Sequence, residues 1–382
     1  MKRLYLAFLA AVGVLLVAMP SDAPSGTPAQ PGMRGVLVTP EEATAKALRE
    51  FKREALTGVV LSLRDGETGA AAPAAARVRA AGLDLYYWIE VGRCPALAEA
   101  HPEWMASLQG HPEWRRLFPN APEPGAGEVV KNYPWVPVLY QEAFGAHLQR
   151  VKSLLRALPP ARGIFLNDLQ AAPSACGCGN TLCRWTPDYG PIRTATRPPA
   201  SGYPADAAAR FLTAVATGAE RRQGAPGAEI IPVWTTECEE QEKDAACAGV
   251  ACFQGACWRE YTAQLMPVAR ECPTLAVLCL YRAFGRDRPP GTRLRVSGEA
   301  DWVGQALRSF VEMPPRRGGQ PVPLQRLLAV LQGWDVTEAQ RQAQIRRCRE
   351  AGARGYVMAL TRIDQGWEPR IVRVPPVGPA GK

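Results

Sequence analysis

Arg162-Gly163-Ile164-Phe165-Leu166-Asn167-Asp168-Leu169 is a short apolar run that ends in an amide and a carboxylate. It follows an amphipathic segment, Glu142–Leu158, across the break Pro159-Pro160. A helical pattern that passes through a glycine into nearly continuous apolar sequence reads as one turn of a parallel β/α chain. Strands covered on both faces have no polar side to alternate with. The same phrase recurs along the sequence. Apolar runs stand at Arg34–Val38, Gly58–Leu63, Leu83–Val91, Gly163–Leu169, Glu229–Thr235, Leu275–Tyr281, Leu327–Gln332 and Gly355–Thr361. Between them lie helical patterns at Glu41–Leu56, Ala71–Ala81, Glu142–Leu158, Ala205–Arg222, Tyr261–Glu271, Trp302–Val311 and Thr337–Ala351. Eight such units between residues 33 and 375 predict a closed parallel (β/α)8 barrel. An open doubly wound sheet is the competing architecture, but no Gly-x-Gly-x-x-Gly follows the first run.

The junctions have helix-end chemistry. Thr39-Pro40-Glu41-Glu42 places a Thr cap, a first-turn Pro and two acids at the start of the first helix. Gly82, Gly163 and Gly352 each separate a helix from the next strand. Pro232, lacking an N–H, counts against a regular fifth strand. His101-Pro-Glu-Trp104 and His111-Pro-Glu-Trp114 repeat a tetrapeptide whose Pro and Glu suit a first helical turn.

In barrel enzymes the chemistry lies where strands end and βα loops begin. The polar residues there are Asp65, Glu90, Asn167, Asp168, Glu237, Arg282, Asp287, Asp335, Arg362 and Asp364. In-strand parity puts Ile164, Leu166 and Asp168 on one face, and Ile231, Val233, Thr235 and Glu237 on another. A carboxylate in phase with inward-facing apolar residues would enter the barrel mouth, so Asp168 and Glu237 are the expected pair. Two carboxylates on neighbouring strands can divide acid and nucleophile roles, and glycoside hydrolysis needs such a pair. Ten Trp residues, with Trp88, Trp185, Trp234, Trp258, Trp334 and Trp367 near strand ends or in the following loops, offer flat faces for sugar rings.

The 382 residues include 45 Lys plus Arg against 36 Asp plus Glu, a net charge of +9. Only seven of the basic residues are Lys and they form no long run, so the charge does not predict nucleic-acid binding. At 47% hydrophobic and 21% charged, the chain is neither disordered nor polytopic. Its three His leave histidine chemistry to His101, His111 and His147, and no metal site or cofactor is predicted.

Met1-Lys2-Arg3 and the uncharged run Leu4–Met19 form a basic and an apolar region of a secretory signal, with Ser21-Asp22-Ala23 at the cleavage position. Residues 1–23 are thus expected to direct secretion or periplasmic export, or to anchor the chain in the membrane if uncut. Residues 24–32 form a linker, 33–375 the barrel and 376–382 a tail. An oxidising compartment turns the clusters Cys176, Cys178, Cys183 and Cys238, Cys247, Cys252, Cys257, Cys272 into disulfide candidates that staple long βα loops. A thiolate zinc site built on the first three is the alternative.

At this point the chain resembles the barrel glycoside hydrolases. The residues behind the resemblance are Arg162–Asp168, Tyr86-Tyr87-Trp88-Ile89-Glu90 and the His-Pro-Glu-Trp segments. The α-amylase clan places an Asp nucleophile after strand four, a Glu acid after strand five and an Asp after strand seven. Asp168, Glu237 and Asp335 fall at the matching ends. The sequence departs from that clan at Leu166, where the clan has Arg, and at Gly333-Trp334, where it has His. The resemblance implies Asp168 as nucleophile, Glu237 as general acid/base and Asp335 as transition-state support. Glu90, Trp234, Arg282 and Trp334 would bind the carbohydrate. The competing expectations are a non-catalytic secreted barrel with stapled loops, binding a glycan or serving the envelope, and a thiol- or metal-dependent enzyme.

Overall fold

The computed structural model describes residues 32–63, 68–105, 120, 123–138, 141–169, 203–220, 227–235, 252–253, 256–257, 272–280, 303–304, 306–307, 322–363 and 368–373. The chain divides after Gly32, and all elements below belong to the unit that begins at Met33. The strands in chain order are β1 (Arg34–Val38), β2 (Gly58–Leu63), β3 (Asp84–Glu90), β4 (Glu128–Tyr133), β5 (Gly163–Asn167) and β6 (Glu229–Thr235), followed by β7 (Cys252–Phe253), β8 (Ala256–Cys257), β9 (Leu275–Cys279), β10 (Leu327–Gln332), β11 (Gly355–Ala359) and β12 (Glu368–Arg373). The helices are α1 (Ala45–Arg53), α2 (Thr68–Ala80), α3 (Pro95–Ala100), α4 (Gln141–Ala157), α5 (Tyr203–Glu220) and α6 (Glu338–Glu350).

β1, β2, β3, β5, β6, β9, β10 and β11 close into one barrel in which every pairing is parallel. These are the eight apolar runs of the sequence, and the architecture is a (β/α)8 barrel. Their side chains divide between two cores. Val36, Val59, Leu61, Leu85, Tyr87, Ile164, Leu166, Val277 and Leu331 face outward into a layer shared with Leu48, Val78, Leu154, Phe211 and Cys348 of the helices. Leu37, Val60, Tyr86, Trp88, Phe165, Ile231, Val233, Ala276, Leu328, Val330 and Val357 fill the interior. Trp88 stacks on Phe165 at 5.7 Å between centroids, and Tyr86 meets the same ring edge-on.

Near the strand N-termini the Tyr86 ring fills the interior. A Cβ on Gly58 would come within 2.9 Å of the Tyr86 ring, and one on Gly163 within 3.0 Å. Gly163 therefore provides room in a strand rather than a turn, whereas Gly82 and Gly352 adopt positive φ after α2 and α6 as expected. Burial pushes the Tyr86 hydroxyl pKa up to about 12.

Several local expectations are corrected. α1 starts later than predicted, with Thr44 as its N-cap accepting from the Ala47 N–H. Thr39 and Glu42 instead close a turn on each other, Glu42 Oε2 accepting from the Thr39 N–H at 2.7 Å and Thr39 Oγ1 from the Glu42 N–H at 3.3 Å. Pro232 does not break β6. The ladder to β5 runs through Leu166 and Pro232, and pairing with β9 begins at Val233, where an N–H is present. α6 has Thr337 as N-cap in a reciprocal capping box with Gln340. Val303, Ala306 and Leu307 are helical and buried, inside the helix expected over residues 302–311.

β4 and β12, which the apolar runs did not indicate, form an antiparallel pair outside the barrel, from Glu128 opposite Arg373 to Tyr133 opposite Glu368. Arg370 lies over the Tyr133 ring and pairs with Glu99 at 2.7 Å and Glu368 at 3.0 Å. Among the described residues no helix is long and apolar enough to cross a membrane.

Candidate functional site

The C-terminal ends of β3 and β5 bring together a carboxylate, an amide and an indole. Register places Glu90 beside Asn167. Both follow interior residues, Trp88 and Phe165, at a spacing of two and so share the inward face. The Trp88 indole N–H donates to Glu90 Oε1 at 2.6 Å, and the Asn167 amide donates to Oε2 at 2.8 Å. Asn167 is buried, and among the described residues its Oδ1 has no partner.

α4 holds this end of β3 from outside. Arg150 Nη2 donates to the carbonyls of Glu90 at 2.7 Å and Val91 at 3.0 Å. One turn earlier, buried His147 Nε2 lies 2.9 Å from the Val136 carbonyl, and Val136 N–H bonds to Gly92 O. Burial, reinforced by the nearby Arg150 charge, pushes the His147 pKa down to about 3. Its ring is thus neutral, with Nε2–H as donor, and it serves as a clamp on the chain after β3.

Asp168 is buried and takes a left-handed backbone at φ 51° directly after β5. Its carbonyl accepts the Gly92 N–H at 2.5 Å. A non-glycine residue there is a local strain that surrounding structure must hold, a feature found at functional sites. The expected parity for β5 is reversed: Ile164 and Leu166 face the helices, and Phe165 and Asn167 face inward. Asp168 therefore reaches its position through the change in backbone, not in phase with an inward row. The prediction for Ile231 and Val233 on β6 holds, as both face the interior.

On the opposite side, Trp334 follows β10 and packs into the interior cluster, 6% exposed. Its carbonyl accepts from Gln332 Nε2 at 3.1 Å, and among the described residues its indole Nε1 has no partner. Gln344 of α6 fixes the strand end reciprocally, accepting from the Gln332 N–H at 3.1 Å and donating to its carbonyl at 2.8 Å. Asp335 also has φ 51°, but it is half exposed and lies 3.6 Å from Arg362. It stands at the predicted strand end, after β10.

Trp234 lies on β6 opposite Val277. Glu237, Arg282, Cys176, Cys178, Cys183, Cys238 and Cys247 fall outside the described residues, as do Asp65, Asp287, Asp364 and His111. Cys252 and Cys257 face each other across the β7–β8 pair. Cys272 is buried in the outer core, which also holds Cys279 and Cys348, just before β9. Among the described residues no group of three His, Cys, Asp or Glu could hold a metal ion. His101 stacks on Trp104, and Pro102–Trp104 form a single 3-10 turn where the tetrapeptide was expected to begin a helix. Asn167 is the residue that sequence reasoning undervalued. Its signal lies in the β3–β5 register, which one strand read alone does not carry.

No protein-family model matches the chain, and no curated protein matches it by sequence. Solved structures match it as a fold. The alpha-galactosidase AgaA of Geobacillus stearothermophilus is 13% identical, with a TM-score of 0.41 over 87% of this chain and 39% of that one. The alpha-L-fucosidase isoenzyme 2 of Paenibacillus thiaminolyticus is 12% identical, with a TM-score of 0.46 over 86% and 46%. A D-allulose 3-epimerase from Methylomonas sp. is 10% identical, with a TM-score of 0.36 over 86% and 84%. The chain thus spans less than half the length of the two glycosidases. It is a (β/α)8 barrel with distant structural likeness to glycoside hydrolases and sugar epimerases, and the likeness is one of fold.

Proposed function

We propose that this chain is a carbohydrate-active hydrolase that receives a glycan at the C-terminal mouth of its barrel. The observation that supports this most is the Trp88–Glu90–Asn167 constellation, set beside the strained, buried Asp168 at the end where barrel enzymes do their chemistry. In this reading Asp168 attacks the anomeric carbon, and Glu237 protonates the departing oxygen and later deprotonates water. Asp335 supports the developing charge, while Trp234, Trp334, Arg282 and Glu90 bind sugar. The N-terminal segment 1–23 directs export, and a processed N-terminus on the secreted protein is the matching observation.

The test is turnover on a panel of nitrophenyl glycosides and polysaccharides. Asp168→Asn abolishes hydrolysis with the melting temperature retained, and Glu237→Gln lowers it on the order of 10²–10⁴-fold. Unchanged turnover in either variant removes that residue from its role. A second reading, a non-catalytic carbohydrate-binding barrel, is favoured by two observations: both Glu90 oxygens already accept protein donors, and Asp335 is paired with Arg362. It gives binding without turnover on any member of the panel.

A further inference from the structure

The direction of the Asn167 amide is forced. A carboxylate only accepts, so the amide nitrogen must face Glu90 Oε2 and Oδ1 must be presented elsewhere. That oxygen is buried and has no partner among the described residues. Trp334 Nε1–H, which can only donate, is in the same condition. Asn167 ends the fourth strand of the wall and Trp334 follows the seventh, so the two stand on different sides of the mouth. Buried polar atoms left unmatched cost free energy, and a ligand offering both a donor and an acceptor across this span removes the cost at both ends. Glu90 adds a constraint of charge. Its two side-chain partners are neutral N–H groups, Arg150 donates to its backbone carbonyl, and among the described residues no ion pair neutralises it.

We propose that the mouth is a subsite for a neutral, polyhydroxylated ring. One hydroxyl donates to Asn167 Oδ1, another oxygen accepts from Trp334 Nε1, and Glu90 turns away sugars that have a carboxylate. The inference rests on the carbohydrate reading above and names the ligand class. It concerns recognition, so it is separable from hydrolysis.

The experiment measures binding of methyl glycosides of neutral hexoses and pentoses, beside methyl glucuronide and methyl galacturonide, to the full chain by calorimetry and saturation-transfer NMR. At least one neutral glycoside binds, and the uronide of matching configuration binds about tenfold more weakly or worse. Trp334→Phe keeps an aromatic ring and removes the donor, which weakens the neutral ligand by about tenfold. Glu90→Gln gives a gain that misfolding cannot imitate. The Gln amide lets Asn167 turn its nitrogen to the mouth, and the uronide comes within about threefold of the neutral sugar. A uronide that binds wild type as well as its neutral counterpart overturns the proposal. So does neutral binding indifferent to Trp334→Phe, as does a panel in which nothing binds. Turnover is recorded on the same preparations. Selective binding without hydrolysis sinks only the catalytic reading, and Asp168-dependent hydrolysis with unselective binding sinks only this one.

Discussion

The two ends of the barrel interior are built from the same strands to opposite purposes. On β3, Tyr86 closes the N-terminal floor and Glu90 faces the C-terminal mouth; on β5, Gly163 and Asn167 divide the same way. At the floor one ring fills the space left by two missing Cβ atoms. At the mouth a carboxylate, an amide and an indole meet, a second indole stands on another side, and hydrogen-bonding capacity is left over. Side chains that share a face thus change from packing to hydrogen bonding within four residues. Stability should be sensitive at the floor and middle, and ligand affinity at the mouth.

The largest effect that would break this contrast belongs to Trp88, which serves both ends. Trp88→Ala is expected to cost about 3–5 kcal/mol in a denaturant titration, since it empties the barrel centre as well as freeing Glu90. Gly163→Ala, at the floor, should cost about 1–3 kcal/mol by pressing a methyl against Tyr86, with ligand affinity unchanged if the two ends are independent.

Acid separates the ends in a different way. Folded His147 stays neutral down to about pH 3, whereas the unfolded side chain takes up its proton near 6.5. The stabilisation is therefore complete above pH 6.5 and is lost progressively as pH falls towards 3, amounting to about 2 kcal/mol by pH 5. Hydrogen exchange should show Gly92 and Val136, on the mouth side, opening before Tyr86, and His147→Asn should flatten the slope. The smallest effect is Thr337→Ala, which removes the α6 cap and costs about 1 kcal/mol in thermal melting. Because α6 bears Gln344, its cost should appear as faster exchange at Gln332 rather than at the floor.

All eight wall strands were legible because strands covered on both faces are written in uninterrupted apolar residues. The same property hid their facing. Ile164, Phe165 and Leu166 give no alternation to read, so the inward row of β5 was assigned to the wrong parity, while β6 came out correctly. Glu90 was legible as a polar end to an apolar run, but its pairing with Asn167 depends on inter-strand register. β4 and β12 escaped notice because their charged residues, Lys131 and Arg370 among them, break the apolar signal in strands lying outside the wall. The early prediction for α1 had a physical source too: Thr39 and Glu42 satisfy each other in a turn that imitates a helix start.

The β4–β12 pair has a consequence for the chain as it is made. β4 leaves the ribosome after only three wall strands, but its partner follows the last of the eight. Until Glu368–Arg373 emerges, the edge of β4 has no strand to close it, and an open edge is a template for pairing with other chains. During synthesis this stretch, with its Lys131 and Asn132 not yet buried, is a place where an escort would act.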